Sequence, residues 1–143
     1  MFWKGFKMMY GGMKKKNIEA KLNELNFKVD NNYTYGKVMG GFWNQTLLGA
    51  WNQLIRQKIF AVDEKNIVIF HLSILGNFSD KEPLILNRKD YKIEYKKGWF
   101  EHKFEIISNK NLKKKIKIYS PRFIIGFSWA RKNINNIVDK INN

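Results

Sequence analysis

The amino-acid sequence predicts an α+β, mainly β domain of about seven antiparallel strands, with one amphipathic helix after them and an extra helix in front. Three observations predict it. Several short runs alternate apolar and polar side chains with period two, the strand signature. The chain then closes on apolar residues spaced by three and four, the helical signature. Its 143 residues, 44% of them hydrophobic and 15% aromatic, match one domain with a ring-rich core.

The elements follow in order. Residues 1–12 read as a flexible tail or as sequence upstream of a start at Met13, which precedes Lys14, Lys15 and Lys16. Phe2, Trp3 and Phe6 leave a short amphipathic anchor open as well. No continuous apolar stretch or small-residue cleavage site marks these residues as a secretory signal. Residues 13–32 form a helical extension in which Ile18, Leu22 and Leu25 recur at helical spacing, until Asp30-Asn31-Asn32 breaks the pattern. Residues 33–42 are aromatic and punctuated by Gly36, Gly40 and Gly41, as in a bent or bulged strand. Between Trp43 and Trp51 a strand extension and a short helix fit equally.

IRQKIFAV and IVIFHL, separated by Asp63-Glu64-Lys65-Asn66, predict a hairpin. A loop over residues 76–82 leads to the short strand PLIL, which Pro83 opens. Tyr91, Ile93 and Tyr95 share one face of the next strand, and Phe100, His102, Phe104 and Ile106 share one face of the strand after it. Lys96-Lys97-Gly98 turns the chain between them, and Ser108-Asn109-Lys110-Asn111 makes the following turn. In the last strand, residues 112–119, Ile116 and Ile118 oppose Lys113, Lys115 and Lys117. Ser120-Pro121 ends it, and Gly126 lets the chain enter a helix over residues 127–142. There Phe127, Ala130, Ile134, Ile137 and Ile141 form the apolar stripe and Trp129 lies beside it.

This order of elements resembles bacterial domains of the pleckstrin-homology-like superfamily. The similarity is carried by KIFAVDEKNIVIFHL, residues 58–72, and by the stretch from Ile116 through Ser120-Pro121, Gly126 and Trp129 to Val138. It covers residues 33–143 and is one of layout more than of motif, since the turn at Asp63 lacks the threonine and arginine common in those domains. The resemblance implies a partly open seven-stranded barrel, plugged at one end by the C-terminal helix, and leaves the N-terminal helix outside it. Domains of this kind bind many ligands, so fold alone selects none.

Composition narrows the chemistry. With no cysteine, the chain has no disulfide framework, iron–sulfur cluster or thiolate zinc site, which fits a cytoplasmic protein. His71 and His102, the only histidines, stand on separate predicted strands. No nucleophilic triad or metal-ligand cluster is spelled out, and Gly40-Gly41 lacks the spacing of a phosphate loop, so neither an enzyme nor a cofactor is implied. Asp63 and Glu64 read as solvated turn residues.

The formal net charge of +15 points to an anionic partner. An AT-rich coding sequence, however, produces lysine, asparagine and isoleucine without selection for binding. Of the 27 basic residues only Arg56, Arg88, Arg122 and Arg131 are arginines. The candidate anion-binding residues are the row Lys113, Lys115 and Lys117 with Lys96 and Lys97, set against the simpler role of a solvated face that protects a sheet edge. Trp99, beside a lysine turn, is the candidate aromatic contact.

The function expected is therefore a non-enzymatic binding module that engages a protein or an anionic membrane surface, cytoplasmic or peripheral at the inner membrane face. A small nucleic-acid-binding protein and an oligomerising scaffold are the alternatives.

Overall fold

The computed structural model describes residues 14–38, 57–73, 76–111, 115–122 and 128–142. Helix α1 (Lys15–Glu24) precedes seven strands: β1 (Tyr33–Val38), β2 (Gln57–Val62), β3 (Asn66–His71), β4 (Leu84–Asn87), β5 (Tyr91–Lys97), β6 (Glu101–Ser108) and β7 (Lys115–Pro121). Helix α2 (Ser128–Asn142) follows. The strands make one antiparallel sheet in the order β4-β3-β2-β1-β7-β6-β5. Two meanders, β1 to β4 and β5 to β7, are therefore joined where β1 pairs with β7. The sheet is not closed: β4 and β5 are its two edges, although only residues 88–90 separate them in the chain.

Curvature explains how consecutive strands can be opposite edges. The Phe60 and Phe104 rings lie 5.1 Å apart, yet β2 and β6 are separated by two strands. On a flat sheet those strand axes would stand roughly 14 Å apart, at about 4.8 Å per step. Both rings face the inside of the bend. There they join Ile69, Ile106 and Ile118 with Ile134 and Ile137 of α2, whose apolar stripe lies over this inner face.

The outer face of the first meander is apolar too. Ile59, Ala61, Val68 and Phe70 receive Ile18 and Leu22 of α1, so β2 and β3 are buried on both sides. Sequence runs such as IFAV and IVIF, continuous rather than alternating, are the consequence of that double burial. Helix α1 stops in a Schellman arrangement. Asn26 takes the left-handed φ of 58°, while the Phe27 and Asn26 amides donate to the Leu22 and Asn23 carbonyls. Trp129 packs against Tyr33 with ring centroids 5.4 Å apart and fixes the start of α2 on β1, where Thr34 Oγ1 donates to the Ala130 carbonyl.

Three local expectations need correction. Asp63 is buried, not solvated: its carboxylate accepts the Lys65, Asn66 and Lys28 amides and so builds the β2–β3 turn. Lys96 and Lys97 are the last residues of β5 rather than a turn, because their backbones still pair with Lys103 and His102. Phe100 belongs to the turn and does not share the inward face of His102 and Phe104.

The expectations for residues 1–13, Gly40, Gly41, Trp43, Trp51, Lys113, Gly126 and Phe127 lie outside the described residues. No described helix is long and apolar enough to cross a membrane.

Candidate functional site

The described members of the proposed lysine row, Lys115 and Lys117, sit on the outer face of the second meander. Lys115 stands opposite Ile107 and Lys117 opposite Glu105, while Lys96 stands opposite Lys103. Carboxylates interrupt this face. Lys103 Nζ lies 2.7 Å from Glu105 and Lys92 Nζ 3.0 Å from Glu94. The pairing allows Glu94 and Glu105 to face each other across β5 and β6. A hydrogen bond from Lys103, with Lys115 and Lys117 nearby, holds the Glu105 carboxyl below the usual carboxylate range. The lysines thus belong to a mixed-charge surface and do not form an isolated cationic row.

Lys97 is on the other face. Strand alternation separates it from Lys96, and its cross-strand partner is His102. Of the four described candidate lysines, Lys96, Lys115 and Lys117 share the outer face and Lys97 does not.

The turn beyond Lys97 has the opposite character. Gly98 closes it tightly, since its amide donates to the Glu101 carbonyl at 2.9 Å and a Cβ there would lie 2.5 Å from that oxygen. Trp99 and Phe100 then project from the tip at 81% and 80% exposure. Their rings meet edge to face at 6.1 Å. Buried rings fill the core elsewhere, and no other described large apolar side chain approaches this exposure; Leu84 and Ile85 on the β4 edge reach 37% and 49%. Arg122, just past β7, anchors the tip: its guanidinium donates to the Trp99 carbonyl at 3.0 Å and its amide to the Phe100 carbonyl at 3.1 Å.

A second feature appears when the registers are joined. His71 pairs with Lys58, Lys58 with Gly36, Ser120 with His102, and His102 with Lys97. The β1–β7 register sets Gly36 beside Ser120, where a Cβ on Gly36 would stand 3.2 Å from Ser120 Oγ. One line across six strands is therefore polar or glycine, on the same inner face that carries Phe60, Ile69, Phe104 and Ile118 two residues further along. Three members sit where a strand's alternating apolar series stops: His71 after Ile67 and Ile69, Ser120 after Ile116 and Ile118, and His102 before Phe104 and Ile106. That interruption was present in the sequence. Its alignment across strands needed the registers.

The two histidines do not meet. His71 Nδ1 lies 2.6 Å from Lys58 Nζ, whereas His102 Nδ1 lies 2.6 Å from the Tyr95 hydroxyl, with the rings stacked at 5.7 Å. Both imidazoles are held below their ordinary value. Burial is the first cause in each, followed by Lys58 and Lys81 around His71, and by Arg122, Lys97 and Arg131 around His102. Ser120 Oγ, on a residue only 1% exposed, finds no hydrogen-bond partner among the described residues. No cluster of three or more potential metal ligands occurs among them.

No family model matches the chain, and no curated protein is similar enough to it to count as a relative.

Proposed function

We propose that the protein is a non-enzymatic binding module with a pleckstrin-homology-like fold, cytoplasmic in location, that docks on an anionic membrane surface through its β5–β6 hairpin. The observation that carries this reading is the pair Trp99 and Phe100, four-fifths exposed at a tip flanked by Lys96, Lys97 and Arg122. Aromatic side chains of this kind settle at the headgroup level of a bilayer, where the ring is apolar and the surroundings are partly wet. Each nearby cation adds about 1 kcal/mol on an anionic leaflet at low salt, so ring insertion and charge supply the two weak signals that stable association requires. The strand order, with α2 seated on the inner face, supports the fold reading.

The test is co-sedimentation with vesicles of neutral lipid alone and with added anionic lipid, at low and physiological salt. The parent protein is expected to bind only the anionic vesicles. Trp99→Ala with Phe100→Ala should weaken binding roughly tenfold or more, equivalent to about 1.4 kcal/mol. Lys115→Ala with Lys117→Ala should change it little, because those lysines share a face with Glu94 and Glu105. Equal losses from both double variants would return the site to the lysine face, and binding to single-stranded DNA in place of vesicles would make the partner a nucleic acid.

A further inference from the structure

The two edges of the open sheet differ in how they are guarded. β5 carries Lys92, Glu94, Lys96 and Lys97, with Lys92 and Glu94 paired at 3.0 Å, and charged side chains of this kind keep an edge from recruiting another strand. β4, with the sequence LILN, carries none. Leu84 and Ile85 are exposed on it, the first on the inner side beside Ile69 and the second on the outer side beside Val68. Its backbone is open as well. The Arg88 amide donates to the Lys65 carbonyl, so in this register Leu84 and Leu86 turn their amides to β3, whereas Ile85 and Asn87 turn theirs away from it. The Asp90 amide takes the Asn87 carbonyl, which leaves the Ile85 amide and carbonyl and the Asn87 amide to an added strand.

A cationic cleft lies at the C-terminal end of the same strand. It encloses about 580 Å³ between the β2–β3 turn, the end of β4 and the end of α2, and is lined by Glu64, Lys65, Asn87, Arg88, Lys89 and Lys140. Arg88 is committed to the Asp63, Lys140 and Ile141 carbonyls, and Lys140 Nζ lies 3.6 Å from Asp30. Glu64, the one acid in the lining, has Lys28 at 3.9 Å. Lys65 and Lys89 are exposed and make no ion pair among the described residues. An unguarded apolar edge thus runs into a cleft that presents two unpaired lysines.

We infer that β4 takes up an extended segment of an acidic protein partner as an eighth strand, and that acidic residues precede the apolar run of that segment. Antiparallel pairing, the more stable arrangement, sets the partner's upstream residues beside Asn87 and the cleft and its apolar residues beside Leu84 and Ile85. Main-chain bonds to Ile85 and Asn87 supply affinity, and alternate side chains supply selectivity. Charge decides against a second copy of this chain as the occupant. The chain carries a formal net charge of +15, and β4 paired with its own copy about Ile85 would set Lys81 opposite Lys89 on both sides of the axis. Like charges directly opposite are destabilising, whereas acidic residues complement Lys65 and Lys89. The inference does not rest on membrane docking, which uses the hairpin of the other meander.

The probe is a synthetic peptide with a short acidic run followed by alternating valine and threonine, labelled and titrated with the full-length protein by fluorescence anisotropy. Saturable binding that weakens as salt is raised is expected, with slower hydrogen exchange at the Ile85 and Asn87 amides. Replacing the peptide's acids by their amides, or methylating the peptide nitrogens that face β4, should each weaken binding roughly fivefold or more. Lys65→Gln with Lys89→Gln should match the first loss. Ile85→Pro should abolish binding and keep a folded spectrum, because that amide makes no bond within the sheet. If Ile85→Pro does not fold, the methylated peptide makes the same test from the ligand side. The inference is overturned if the acidic peptide does not saturate by about 1 mM, or if its neutral and methylated forms bind as well as it does. A mass that doubles with protein concentration, and no longer does so in Ile85→Pro, would seat a second copy on the edge and overturn it too. Vesicle binding through Trp99 and Phe100 survives each of these results, so the two readings fail separately.

Discussion

The β2–β3 and β5–β6 hairpins use their tips in opposite ways. At the first, Asp63 turns inward and its carboxylate takes three backbone amides, while its carbonyl accepts the Arg88 guanidinium that also holds the last carbonyls of α2. The Asp63 and Arg88 side chains there bond the chain's own backbone. At the second, the backbone is closed by Gly98 and Arg122, and the two largest side chains are left in water. A charged turn residue can thus be structural and an aromatic one wholly exposed, so residue type at a hairpin does not reveal whether the tip serves folding or recognition.

Substitutions can break this contrast. The largest effect is expected for Asp63→Ala, which leaves three amides without their acceptor and should cost about 3 kcal/mol in a denaturant melt. A loss below about 0.5 kcal/mol would show that the turn does not depend on the carboxylate. Arg88→Met should cost about 2 kcal/mol by releasing the end of α2, with faster amide exchange over the last turn of that helix as the specific sign. Gly36→Ala belongs in the same range, about 1–3 kcal/mol, because the new methyl would lie 2.5 Å from Ile118 Cγ2.

Acid should have a smaller effect of known sign. His71 and His102 titrate lower in the fold than in the unfolded chain, so the unfolded state takes up protons first. Their contribution to stability is complete above the ordinary histidine value near 6.5. It is lost as pH falls from there through the lowered folded values. Thermal melts from pH 7.5 to pH 5 should show that decline, and His102→Gln should flatten it. Smallest of all, Trp99→Ala should change stability by less than about 0.5 kcal/mol while removing much of the vesicle binding. A large stability loss would mean that the tip is packed and not presented.

Much of the architecture was legible because periodicity reports burial. Alternation in β5, β6 and β7 identified those strands, and the stripe Ile134, Ile137 and Ile141 identified α2 as a helix that must dock. The site was less legible. The lysines of β7 stood out by type, yet the carboxylate opposite Lys117, Glu105, comes from β6, and no spacing within β7 announces it. Phe100 continued the alternation of Phe104 and Ile106 on paper, but the chain turns two residues before β6 begins its inward series, which exposes the ring.

Sequence alone determined the secondary structure class, the two helices, most strand positions and the charge, since each depends on local pattern or composition. Only the tertiary structure decided that β1 pairs with β7, that the sheet bends until Phe60 touches Phe104, and that His71, Lys58, Gly36, Ser120, His102 and Lys97 form one line. The physical reason is that register and curvature arise from contacts between residues distant in the chain. A strand's pattern states which side is buried, but not which strand lies beside it.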